Sequence, residues 1–116
     1  MNVHWVKSQN DKWLELETFN LGSVPDSHYG VYVIWHTGQP GRVVYVGQGS
    51  IKARLGAHRN NTAITRYRAN GALRVTWAEL SPAQVDGVER HLADTWNPLV
   101  GDAHPDVRPI AVNSPW

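Results

Sequence analysis

The sequence has no cysteine in 116 residues. That excludes a disulfide scaffold, a cysteine-ligated zinc site and a thiol nucleophile together, and it accords with a reducing compartment. No apolar run approaches the ~20 residues of a membrane span, and the opening MNVHWVKSQNDKW lacks the apolar core of a secretory signal. Internal repeats and low-complexity tracts are missing too. The expectation is a soluble, cytoplasmic, single-domain chain that makes no membrane contact. Charged residues are sparse at 18% against 41% hydrophobic, a balance that argues against intrinsic disorder. Six tryptophans stand out against this background, large enough to supply much of the burial in one modest core.

One further absence is local. From Ser27 to Ala78 there is no Asp or Glu, and this block carries Arg42, Lys52, Arg54, Arg59, Arg66, Arg68 and Arg74, a local charge of +7. All ten acids lie elsewhere against four bases, a charge of −6, although the whole chain sums to +1. Such segregation points either to a basic surface for a polyanion or to an ordinary solvated face.

Tyr29 to Thr37 and Arg42 to Val46 are rich in β-branched and aromatic residues, and Gly38-Gln39-Pro40-Gly41 between them reads as a hairpin turn. Both runs are apolar on each parity, which predicts a sheet covered on both faces. Leu73 to Leu80 is a third strand. Trp13, Leu14, Leu16 and Phe19 form a short strand or a cover on the core. Ser50 can cap a helix running to about Asn60; Ser81 with Pro82 starts a second that runs to about Trp96. A short helix fits around Ile64–Ala69. Beyond Asn97, four prolines in twenty residues predict an extended tail held by Val107, Ile110 and Trp116.

On the second long helix, Val85, Val88, Leu92 and Trp96 share a stripe, and Glu89 lies inside it. A carboxylate on an apolar face requires a partner, either a metal ion or a core arginine. On the first helix, Arg54 and His58 stand four apart and border the Ile51/Leu55 stripe, so both point toward the sheet. Lys52 and Arg59 form a separate outward flank suited to phosphates. Tyr32 and Tyr45 lie on the two paired strands, where they serve either chemistry or packing. The loop Val46-Gly47-Gln48-Gly49-Ser50 opens a helix, where backbone N–H groups can meet phosphate oxygens. It matches neither a P-loop nor a dinucleotide-binding turn, and the chain contains no HExxH or GxSxG.

Gly30-Val31-Tyr32, followed by Tyr45-Val46-Gly47 thirteen residues after the first tyrosine, resembles the paired signature of the GIY-YIG nucleases. Arg54 and His58 stand where that family keeps an arginine and a histidine or tyrosine, and Glu89 where it keeps a metal-binding glutamate. The resemblance covers about 29–101. It implies an α/β sandwich with a central three-stranded antiparallel sheet flanked by helices, within a single domain over 1–116. It further implies hydrolysis of phosphodiester bonds in DNA, with Mg2+ or Mn2+ on Glu89, Arg54 clamping the phosphate, Tyr32 as the candidate base with the choice between the two tyrosines open, Tyr45 orienting the water or a phosphate oxygen, and His58 relaying a proton or donating to phosphate. Arg42, Lys52, Arg59, Arg66 and Arg68 would bind the DNA backbone. The family often carries an asparagine near Gly101; here Asn97 and Asp102 are the nearest substitutes. Two other readings remain at this point: a nucleic-acid-binding domain of the same fold that does not cut, and an interaction domain in which Glu89 and Arg54 form a buried ion pair.

Overall fold

A computed structural model describes residues 1–101 and 104–116; Asp102 therefore lies outside the described residues. The β-rich runs become strands β2 (Tyr29–His36) and β3 (Arg42–Ser50), followed by helix α1 (Ile51–Arg59) and the short α2 (Thr62–Thr65) with a 3-10 turn at Arg66–Ala69. Strand β4 (Leu73–Glu79) and helix α3 (Pro82–Trp96) complete the succession. The sheet has four strands rather than the expected three. A two-residue strand β1 (Leu14–Glu15) pairs antiparallel with β4 through Leu14–Val75 and Glu15–Arg74. All pairings are antiparallel, in the order β1-β4-β2-β3, so β2 is central and β3 lies at an edge.

Strand β2 alternates its side chains between two cores, as the apolar character on both parities requires. Tyr32 and Ile34 pack with Val44, Ile51, Leu55 and Ile64 under α1 and α2. Val31, Val33 and Trp35 pack with Val85, Val88 and Leu92 of α3. Helices thus cover opposite faces of one sheet. Ser81 precedes Pro82 at the start of α3 as expected, while the helix ends at Asn97, whose left-handed backbone (φ 46°) closes the last turn through an N–H bond to the Ala93 carbonyl.

Strand β3 also runs further than expected. The stretch Val46–Ser50 is not a loop: its residues continue the ladder opposite Val33–Tyr29. Next, Leu99 and Val100 donate to the carbonyls of Val43 and Val44, so the chain leaving α3 covers one half of the β3 edge and leaves the Gly47–Gly49 half uncovered by these bonds. The tail then packs along α3, with Ile110 donating to the Gly87 carbonyl and Asn113 holding Val3 through both its amide groups. Ile110 and Trp116 make contacts in this tail, whereas Val107 is exposed and holds nothing. No described helix is long and apolar enough to cross a membrane.

Candidate active site

Strands β2 and β3 carry Tyr32 and Tyr45 to the α1 side of the sheet, where their rings stack at 6.0 Å. Helix α1 brings His58 onto both, with ring centroids 5.4 Å from Tyr32 and 4.6 Å from Tyr45. The Tyr32 Oη and His58 Nε2 share a hydrogen bond of 2.6 Å in the interior. Gly47 makes room for this pair. A Cβ there would stand 2.4 Å from the Tyr32 hydroxyl, so any larger residue would push the phenol out of place.

The electrostatics of the pair follow from burial. Desolvation pushes the Tyr32 phenol well above its ordinary range, and the hydrogen bond and charge of Arg54 only partly offset it. Burial lowers His58 to about 4, with the Arg54 charge adding to the effect, so its imidazole is neutral at physiological pH. The Nδ1 of His58 is buried without a hydrogen-bond partner among the described residues. Arg54 itself is exposed, with its side chain beside Gly49, and its contact with the Tyr32 phenol strengthens its hold on its proton. Tyr32 is completely buried while Tyr45 is half-buried at the edge of the core, an inequality that the two short motifs do not reveal.

Glu89 approaches the same edge strand from the opposite face. It is 7% exposed, and burial raises its pKa, although the hydrogen bond and charge of His104 and the side chain of Gln48 pull the other way. His104 Nδ1 lies 3.2 Å from Glu89 Oε2. Gln48, on β3, donates to Asp86 on α3 and so ties the edge strand to the helix that carries Glu89. The expected alternative of a buried Glu89–Arg54 ion pair is not found: among the described residues the ionic partner of Glu89 is His104. Neither His104 nor Gln48 was marked by the sequence. A histidine in a proline-rich tail has no periodicity to place it, and Gln48 looked like loop.

The absence of a side chain at Gly101, near which the resemblance leads one to expect an asparagine, has a steric account. Gly101 has φ 84°, and a Cβ there would meet the Tyr45 ring at 3.2 Å. A side chain at this position is disfavoured both by the backbone and by the phenol it would touch. Asn97 lines a cleft with Gly101 and His104, so an amide does stand near that place.

The basic block behaves differently from the expectation. Lys52 pairs with Asp26 at 3.1 Å, Arg74 with Glu15 at 2.9 Å, and Arg68 with Glu17. Arg59 is not on an outward phosphate-binding flank: its guanidinium donates to the Leu16 and Phe19 carbonyls and lies over the Phe19 ring. Arg66 rests on the Tyr67 ring. Arg42 is exposed and has no acidic partner among the described residues.

Among the described residues no group of three or more His, Asp or Glu side chains is arranged to hold a metal. Comparisons with known protein families, with curated proteins and with solved structures find no match for this chain.

Proposed function

We propose that the chain is a divalent-metal-dependent endonuclease of the GIY-YIG type that hydrolyses phosphodiester bonds in DNA. The observation that carries this reading is convergence. Two tyrosines from adjacent strands and an arginine and histidine from the following helix meet in one cluster, and a buried glutamate reaches the same edge strand from the other face.

A divalent cation fits Glu89. The carboxylate is buried, has no Lys or Arg counter-ion among the described residues, and shares its position only with a neutralisable imidazole and an amide. Mg2+ retains several waters and takes few protein ligands, so one carboxylate beside a substrate phosphate suffices. When bound there, such an ion supplies charge neutralisation for the phosphoryl and leaving oxygens. His104 either joins Glu89 in holding it or yields the carboxylate to it.

The remaining roles belong to the chain's own side chains. Arg54 is exposed, and the Tyr32 phenol favours its protonated form, which suits a fork of donors for the scissile phosphate. The base role assigned to Tyr32 on sequence grounds passes to Tyr45. A completely buried phenol with a raised pKa meets no incoming water, whereas Tyr45 retains exposed surface. Tyr32 and His58 then form a neutral, hydrogen-bonded prop that fixes Tyr45, and the lowered pKa of His58 suits this positioning role better than the proton relay expected of it.

The test is incubation of purified protein with supercoiled plasmid, branched DNA and single strands, in Mg2+, Mn2+ or EDTA. Metal-dependent cleavage that Glu89→Gln abolishes is the expected result. No cleavage of any substrate in either metal would refute the proposal. The binding-only reading gains support from Gly101, which leaves the family's asparagine position without a side chain; it predicts DNA binding indifferent to metal and no product.

A further inference from the structure

Away from the tyrosines, four of the six tryptophans gather where α3 ends against the β2–β3 hairpin. The Trp116 ring lies 4.7 Å from Trp35 and 5.3 Å from Trp96, in the latter case nearly parallel at 29°. Trp13 closes the back of the group against Trp35 at 5.3 Å. In front is a cleft of about 320 Å3 lined by Trp35, Gly41, Arg42, Val43, Trp96 and Trp116. Its size is at the lower end for small-ligand sites. Trp116 remains 56% exposed although three indoles surround it, so the cluster is an open platform and not a closed core.

The chemistry of the cleft is specific. Flat indole walls accept a planar aromatic group, and the single charged side chain at the rim is Arg42, one of the basic-block cations that are exposed with no acidic partner among the described residues. A planar ring joined to an anion satisfies both, which describes a nucleobase with its phosphate. A base inside a duplex is already stacked and cannot enter, so the strand must be unpaired at this point. Position agrees. Trp96 follows Glu89 by seven residues on the same stripe of α3, about 10 Å along the helix, and Arg42 precedes Tyr45 by three residues on β3, also about 10 Å. A short single-stranded run connects the two places.

We propose that the Trp35–Trp96–Trp116 cleft and Arg42 bind an unpaired nucleobase and its phosphate, so that the substrate carries a single-stranded segment beside the cut. The polymer's identity as DNA rests on the nuclease reading; the preference for a stacked base rests on the cleft alone.

The experiment measures fluorescence anisotropy of labelled oligothymidylates with the full chain in EDTA, comparing an intact strand with one of equal length made of abasic sites. The intact strand should bind at least about fivefold more tightly, as base stacking on an aromatic platform implies. Trp116→Leu, which keeps an apolar filler, should erase that difference, and Trp116→Phe should restore most of it. Arg42→Ala should weaken both strands alike. Equal binding of intact and abasic strands, or a difference that survives Trp116→Leu, overturns the cleft. Cleavage assayed separately in Mg2+ distinguishes the two proposals. A chain that binds bases and cuts nothing retains the cleft and loses the nuclease reading; one that cuts plasmid without base-dependent binding loses the cleft alone.

Discussion

Glu89 is the residue whose environment differs most from what its neighbours suggested. Burial raises its pKa, so its ionised form opposes folding at neutral pH. Glu89→Gln removes that charge and keeps an oxygen that can accept from His104. The melting temperature should therefore stay level or rise while cleavage disappears. A fall of more than ~10 °C, the signature of breaking a buried ion pair in a chain this size, would mean that the carboxylate is structural. His58 makes the opposite contribution. Its folded pKa is near 4 and its ordinary value near 6.5, so between these limits the unfolded chain binds the extra proton. Stability is complete above about pH 6.5 and declines as pH falls through 4, by about 3 kcal/mol when the titration is complete. His58→Gln should flatten that part of the stability profile; a slope unchanged by the substitution would assign it to other groups. At the same scale, Tyr45→Phe should reduce cleavage by at least ~10²-fold. Tyr32→Phe should cost less cleavage than Tyr45→Phe but more stability, because it breaks the bond to His58. The reverse order of cleavage losses would restore Tyr32 as the base. The sequence marked Arg54, His58 and Glu89 through helical spacing, and Tyr32 and Tyr45 through the two short motifs that carry the resemblance. It could not mark His104, whose approach to Glu89 depends on the path of an aperiodic tail.

Strands are legible in the sequence where β-branched and aromatic residues cluster, as in β2 and β4, and helices where a start signal and a stripe coincide, as in α1 and α3. The edge strand β3 was read too short, since Gly47-Gln48-Gly49-Ser50 has the composition of a turn. Its β-structure comes from outside the segment, from the Tyr29–Tyr32 half of β2 pairing along it. The glycine that weakened the strand signal is also what admits the Tyr32 phenol. Gly47→Ala should consequently displace that ring, costing about 1–3 kcal/mol and lowering cleavage in parallel, read by a melting curve beside a plasmid assay. An alanine variant as active and as stable as the parent would show that the phenol has space to spare. β1 was anticipated only as a strand or a cover, because two residues are too few to show alternation.

At the scale of the whole molecule, the charge segregation so evident along the chain is largely cancelled in space. Asp26, Glu15 and Glu17 reach back to Lys52, Arg74 and Arg68, and Arg59 is spent on backbone carbonyls. Linear sequence cannot report such pairings, which join residues as many as 59 positions apart. The cations left for phosphates are Arg42, Arg54 and Arg66. Affinity for DNA should then fall with added salt along a logarithmic slope of about −2 to −3, against roughly −6 for the full basic block. Binding titrations between low and moderate salt measure it directly. Lys52→Ala with Arg59→Ala should lower thermal stability and leave that slope nearly unchanged; a markedly shallower slope would return both residues to the DNA surface.

The clasp between the two ends of the chain has a kinetic consequence. Val3 and Asn113 hold one another through a pair of hydrogen bonds across 110 positions of sequence, whereas β2 and β3 meet around a turn of five residues, from Thr37 to Gly41. Closing the wide loop costs more chain entropy than closing the hairpin, and the clasp can form only once both ends have been carried near by the sheet. It should accordingly be late to assemble and early to open. Deuterium should enter the Val3 and Ile110 amides well before those of Val31 and Val33, which lie in β2 between two paired strands, marking a seam that parts while the central sheet is still intact.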